Sequence, residues 1–369
     1  MKWLLLLFLV FWYLPHLHSQ DIYEFAAIDK KISTIPSSDS YSSGDIAGFI
    51  QSNFKTDRDR IRAIYTWVAT NIKYDVDSMY AINWSGGPAA KVTEALRRRK
   101  GVCENYAAIF NDIAIKIGLN SFVVDGYTKQ GGAPDRTGHS WCAVCLHGEW
   151  LLCDPTWDKD ANGNTNYFLI SPAGFIESHM PFDPMWQLLN YPLSYREFNE
   201  GYSSKKDKSF FNFPDSIKAF TQLSELEQLQ ATSTRMLAAG QASKLLKNRI
   251  DYTKMRIGLI YEDKDKNLYD GAVADLNNAA AAFNELVQYR NNRFIPAKTA
   301  IQIHTLTDVV TTDISSAYKK INNMSIYNAQ YDPAELKSRL DNLVIKLQQQ
   351  KDFFKKYLAA DEAEKMQLF

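Results

Sequence analysis

The sequence predicts an α+β domain followed by an all-α one, and three observations carry that reading. Apolar residues recur at helical spacing from Ile61 to Ile117, alternate as in strands from Ser121 to about Pro172, and return to long helical patterns after residue 205. At 369 residues the chain is too long for one compact core, so two domains are the default. Its 46% hydrophobic and 23% charged content is that of an ordinary globular protein, and 42 basic residues balance 42 acidic ones. That balance excludes a nucleic-acid or anionic-membrane partner recognised by bulk charge.

The first element is a targeting segment over 1–19. Lys2 precedes an unbroken apolar run from Trp3 to Leu14, then come Pro15 and the small Ser19. The run is too short for a comfortable span and suits a signal-peptide core cleaved after Ser19, with an uncleaved anchor as the alternative. The product is expected to be exported, soluble and not stably inserted in a membrane. Residues 20–45, Ser-rich and polar ("TIPSSDSYSSGD"), read as a loosely ordered lead-in.

The α+β domain is expected over 46–204. Thr56 and Asp59 form a capping box, and Ile61, Ile64, Tyr65, Val68 and Ile72 mark one face of a helix from about 57 to 72. A looped stretch with "NWSGGPAAK" and a short helix near Thr93–Arg99 follow. Then "GVCENYA" places Cys103 on the first turn of a helix whose stripe is Ala107, Phe110, Ile113, Ala114 and Ile117, ended by Gly118. A thiol there is favoured as thiolate by unpaired backbone N–H groups and the helix dipole.

Strands are expected at "SFVVDGYT", "SWCAVCL", "EWLLCDP" and "YFLISP", the middle two joined at His147-Gly148. Opposed residues in that hairpin sum to 295, so Trp141 faces Asp154 and Cys142 faces Cys153. His139 shares the parity of Trp141 and therefore the sheet face of Asp154, and a one-residue slip would separate them. A helix carrying Cys103 against that face would complete a thiol, an imidazole and an orienting carboxylate. The backbone N–H of Cys103 is the natural oxyanion donor, with the Trp84 indole a guess for the second.

Taken singly, these residues have plainer readings: an inert buried thiol, a satisfied core histidine, a turn-initiating aspartate before Pro155. Their joint placement decides for chemistry. No metal or cofactor is expected. Cys142-x-x-Cys145 on a strand points to opposite faces, and "DKDANGNTN" lacks the final calcium-binding Glu, having Leu169 there. Cys142 and Cys153 are open to either a cross-strand disulfide or two buried thiols. "RRRK" (97–100) reads as a solvated helix end.

"GVCENYA", "GHSWCAV" and "LLCDPTWD" together resemble the three catalytic segments of the transglutaminase-like superfamily, whose architecture is papain-like. "RAIYTWVATNIKYD" resembles its leading helix, and residues 175–198 resemble the segment after the core in kyphoscoliosis-peptidase-like members. The resemblance covers about residues 45–200. It implies Cys103 as nucleophile, His139 as general base and acid, and Asp154 as the orienting carboxylate. His179, Trp186 and Gln187 would line the cleft, with packing an equal reading for Trp186.

A polar linker, "YSSKKDKS", leads into residues 205–369, expected as an all-helical domain with helices near 214–249, 266–291, 297–321 and 333–358. The expected function is an exported thiol peptidase or acyltransferase acting on protein or peptide through a Cys103 thioester. Hydrolysis is favoured over crosslinking, because nothing resembles the extra β-domains of animal crosslinking enzymes. The competing reading is a non-catalytic scaffold of the same fold whose helical domain engages a partner. A third is a helical lid or pro-segment.

Overall fold

The structure, a computed structural model, describes residues 24–78, 87–159, 165–201, 208–240, 243–325 and 331–369. The targeting segment expected at 1–19 lies outside them. Among the described residues no helix is long and apolar enough to cross a membrane. The chain forms two compact units, one ending at Asp251 and the other running Tyr252–Phe369.

The first unit opens with three helices, α1 (Ala26–Ile32), α2 (Ser43–Asn53) and α3 (Asp57–Asn71). The lead-in is thus more ordered than its composition suggested. Ser42 and Asp45 cap α2 reciprocally, and Phe25, Ile32, Ile46 and Ile50 are buried against α3. Arg62 on α3 holds Asp29 of α1 through both Nε and Nη2, at 2.8 and 2.6 Å. Next come β1 (Lys73–Tyr74), α4 (Pro88–Arg98), β2 (Lys100–Gly101) and α5 (Cys103–Lys116), the last burying Tyr106, Ala107, Ile109, Phe110, Ile113 and Ala114.

An antiparallel sheet follows: β3 (Ser121–Gln130), β4 (Ala133–Leu146), β5 (Glu149–Cys153) and β6 (His179–Pro181), in the order β5-β4-β3-β6. The β4–β5 register pairs Cys142 with Cys153 and Leu146 with Glu149, as the hairpin argument required. His147 (φ 52°) and Gly148 (φ 87°) are both left-handed, the two-residue turn whose twist matches antiparallel strands. All four cysteines are free; Cys142 and Cys153 are separate buried thiols. "YFLISP" is no strand: it makes one bridge, Leu152 to Ile170, before the short helix α6 (Pro172–Phe175). The strand actually paired to β3 is β6.

The sheet has two buried faces. Cys142, Val144 and Cys153 join the core of α2, α3 and α5. Trp141, Ala143 and Leu152 face a second core with Phe175, Trp186, Ile217 and Phe220. After α7 (Tyr195–Glu200), the expected helix 214–249 divides into α8 (Phe213–Phe220), α9 (Glu225–Ala238) and the start of α10 (Lys244–Asn291). The breaks have local causes. Ser224 and Glu227 form a capping box, and Gly240 adopts φ 87°. Because Met236, Leu246 and Ile250 pack with Tyr127, Met180 and Phe198, the packing divides later than residue 205.

The second unit combines the rest of α10 with α11 (Ala300–Asn322), α12 (Pro333–Ala359) and α13 (Glu362–Gln367). Buried residues step by four and three along α11 (Ile303, Thr307, Val310, Ile314, Ala317, Ile321) and α12 (Leu336, Leu340, Leu343, Leu347). This is a short heptad-like seam, too brief to be a sustained coiled coil.

Candidate active site

Cys103 is the first residue of α5 and is partly exposed, so its sulfur stands at the helix end where backbone N–H groups have no partners along the chain. A clamp fixes this end. Strands β1 and β2 pair in parallel, Tyr74 with Gly101, and Asp75 N–H bonds the Gly101 carbonyl at 2.9 Å. Asp75 also accepts from Arg98 and Lys100, each at 2.8 Å, while the Asn105 side chain accepts from Val102 N–H at 3.0 Å. The basic run "RRRK" is therefore largely structural: Arg97 pairs with Glu94, and Arg99 reaches Ser40 and lies over Trp67.

The body of α5 packs on the Cys142 face of the sheet, the Cys142 thiol donating to the Ala107 carbonyl. This corrects the expectation that the helix covers the His139 face. Apolar residues take the helix, and only its N-terminal end meets the imidazole. His139 Nε2 lies 2.6 Å from Asp154 Oδ2, and Cys103 is close enough to act electrostatically on the ring. With Nε2 taken by Asp154, Nδ1 is the nitrogen left for sulfur. The residues from "GVCENYA", "GHSWCAV" and "LLCDPTWD" thus meet around one imidazole, with His139 and Asp154 hydrogen-bonded and Cys103 beside them.

Asp154 is fully buried just past β5. Its Oδ1 accepts Thr156 N–H at 2.9 Å, an aspartate turn through Pro155. Burial opposes its ionisation, yet the charge and hydrogen bond of His139, aided by His179, hold the carboxyl well below the usual range. Burial likewise penalises a charged His139, whose side chain is only 10% exposed. The charge and hydrogen bond of Asp154, with Cys103 adding to them, outweigh burial and raise His139 from 6.5 to about 10. An imidazolium at neutral pH follows.

A second histidine converges on the same oxygen, with His179 Nε2 3.2 Å from Asp154 Oδ2. It stands on β6, three strand steps from β5, or about 14 Å across a flat sheet. Contact therefore requires a curled sheet, and Gly126 permits it. A Cβ there would lie 2.2 Å from the Met180 carbonyl and 2.4 Å from the Trp141 ring. Trp157 stands beside both imidazoles, 5.9 Å from His139 and 4.4 Å from His179 between ring centres. Sequence reasoning placed His179 only as cleft lining. Trp186 is core, 4.9 Å from Phe122, and Gln187 bonds both N–H and carbonyl of Leu193. Trp84 lies outside the described residues.

His139, Asp154 and His179 offer ligand atoms within 4.8 Å of one another. Hydrogen bonds already account for them. Nε2 and Oδ2 at 2.6 Å are closer than two ligands of one zinc ion, about 3.3 Å apart for bonds near 2 Å. The calcium-like loop falls largely outside the described residues; its first residue, Asp158, accepts from Tyr65 at 2.5 Å and Tyr167 N–H at 2.9 Å.

Residues 45–155 match the transglutaminase-like superfamily. The chain is 35% identical to mouse (Mus musculus) kyphoscoliosis peptidase over 175 residues, 42% of this chain and 25% of that protein. It is 25% identical to Hillarin of Drosophila melanogaster over 206 residues, 48% of this chain and 24% of that protein. These matches span about a quarter of the relatives' length. A candidate cysteine protease from Cytophaga hutchinsonii, known as a crystal structure, aligns at 19% identity and TM-score 0.26, over 39% of this chain and 46% of that one. Residues 45–155 of the first unit thus match a transglutaminase-like core.

Proposed function

We propose that the chain is an exported thiol enzyme that opens peptide or glutamine carboxamide bonds through a thioester on Cys103, with water as the favoured acceptor. The observation that carries this is one imidazole, His139, paired with Asp154 at 2.6 Å while Cys103, at the end of α5, is close enough to act on the same ring. Sulfur attacks the carbonyl carbon, and the tetrahedral oxyanion takes the Cys103 backbone N–H at the helix end. As the C–N bond breaks, the His139 imidazolium protonates the leaving amine and a thioester remains. Water then attacks while His139 takes its proton. The C–S bond breaks, releasing acid and restoring the ion pair. An amine in place of water would give a crosslink, and the choice depends on how far the cleft excludes water.

The likeness to peptidase-named relatives favours hydrolysis. Peptides and proteins offered with an amine donor, read by mass spectrometry, separate the outcomes: backbone cleavage, conversion of glutamine to glutamate, or amine incorporation. Cleavage or deamidation that Cys103→Ala abolishes supports the proposal. Amine incorporation alone would replace hydrolysis with crosslinking, and no turnover with inert Cys103 would leave a scaffold. Export predicts that protein recovered outside the producing cell begins at Gln20.

A further inference from the structure

His179 has no part in the chemistry just described, yet it is fully buried and both its ring nitrogens are engaged. Nε2 meets Asp154 Oδ2 at 3.2 Å and Nδ1 meets Ser178 Oγ at 2.7 Å. The ring is walled by Phe175 at 4.1 Å, Trp157 at 4.4 Å and Trp141 at 5.2 Å between centres. A histidine that merely packed in such a box would need no polar contact with the reacting group; a phenylalanine would fill the space.

The hydrogen positions follow from the partners. An ionised carboxylate only accepts, so His179 Nε2 carries the hydrogen toward Asp154. In the neutral ring Nδ1 then accepts from the Ser178 hydroxyl. Asp154 Oδ2 thus receives two imidazole N–H groups, one from β4 and one from β6. We propose that His179 is a positioning residue for Asp154, holding the carboxylate in the plane of the His139 ring and drawing off part of its charge. The proposal rests on the thiol-enzyme reading for its consequence, not for its geometry. Burial, the largest influence, lowers the affinity of His179 for a proton, so the ring is neutral at pH 7. The charged or titratable groups facing it are Asp154, His139, Tyr167 and, further off, Asp135.

Sharing Oδ2 has a predictable direction. Without the second donor, the charge of Asp154 falls wholly on His139, which becomes more basic and gives up its proton less readily. At the same time the carboxylate is free to turn. Outer partners that orient a reacting ligand typically matter by ten- to a hundredfold.

The test uses the full chain and needs no substrate: the rate of Cys103 alkylation by iodoacetamide from pH 5 to 10, followed by peptide mass spectrometry. His179→Phe keeps the ring packing and removes the donor; His179→Gln restores an N–H near the same point. His179→Phe is expected to move the alkaline limb of Cys103 alkylation to higher pH by about one pH unit, with His179→Gln returning it close to the wild-type position. Nitrogen NMR of the unmodified chain is expected to show the Nε2–H tautomer at His179, a readout independent of any variant's folding. A wild-type limb in His179→Phe, or an Nδ1–H tautomer, overturns the assignment. If wild-type alkylation ignores His139→Ala, the thiol-enzyme reading fails instead, and the tautomer alone decides for His179.

Discussion

Nε2 of His139 lies 2.6 Å from Oδ2 of Asp154, across adjacent antiparallel strands whose register pairs Cys142 with Cys153. Asp154 follows Cys153 directly, so the turn at His147-Gly148 sets this contact from six residues before Asp154 and eight after His139. The pairing makes a charged imidazole the resting state at neutral pH.

Asp154→Asn removes the charge that keeps His139 protonated. The imidazole value, about 10 against an ordinary 6.5, should fall by about two units or more in the variant, as read by NMR titration. Turnover should drop about a thousandfold, because the amide favours the wrong tautomer. The raised value also stabilises the fold below pH 6.5, an advantage lost as pH climbs through about 10. The stability gap between wild type and variant should therefore narrow over that interval in denaturant titrations. A gap constant between pH 6 and 10 would contradict the pairing.

Cysteine labelling should divide the four thiols by position. Cys103 and Cys145 are partly exposed, whereas Cys142 and Cys153 are buried. Burial pushes Cys153 up to about 12 and Cys142 well above the usual thiol value, so neither holds appreciable thiolate at pH 8. Native-state alkylation read peptide by peptide should mark Cys103 and Cys145, and reach the other two only in denaturant.

Gly126 and Gly138 should behave oppositely on replacement by alanine. At Gly126 the new methyl meets the Met180 backbone oxygen at 2.2 Å, and backbone cannot step aside cheaply. At Gly138 its nearest neighbour is 3.7 Å away, an ordinary contact. Gly126→Ala is expected to cost about 3 kcal/mol, lowering the melting temperature by about 10 °C, with Gly138→Ala close to neutral. Thermal melts of the two variants side by side give the answer.

Arg235 on α9 grips Asp183 with Nε and Nη2, at 2.8 and 2.6 Å, and the carboxylate is nearly inaccessible. Arg235→Ala strands that charge with one backbone donor, Met185 N–H, and should destabilise by about 3 kcal/mol. The double variant Arg235→Met with Asp183→Asn should recover most of the loss. A denaturant double-mutant cycle showing additive losses would mean the two residues are not coupled.

What could be read from the sequence divides along physical lines. Cys103, His139 and Asp154 were legible because each sits in a strong local signal: a helix start, a strand parity and a hairpin end. His179 was not, since a three-residue strand is too short to show a period and its partner is 25 positions earlier. "YFLISP" misled because an apolar run does not show pairing: Phe168 is buried, while Tyr167 and Ile170 pack partly buried around one bridge. Helix α2 lay hidden in Ser-rich sequence, although Ser42 and Asp45 with Ile46 and Ile50 formed a cap and a stripe. The split of 214–249 was likewise signalled by Ser224, Glu227 and Gly240. The side of the sheet taken by α5 depended on which face was left apolar once His139 and Trp141 had claimed the other, a tertiary outcome.

The short parallel pairing of Tyr74 with Gly101, tied by Asp75 to Arg98 and Lys100, separates two kinds of inheritance in this region. It closes a ring of sequence at its base, so insertions, deletions or grafts within the ring leave the thiol's address unchanged.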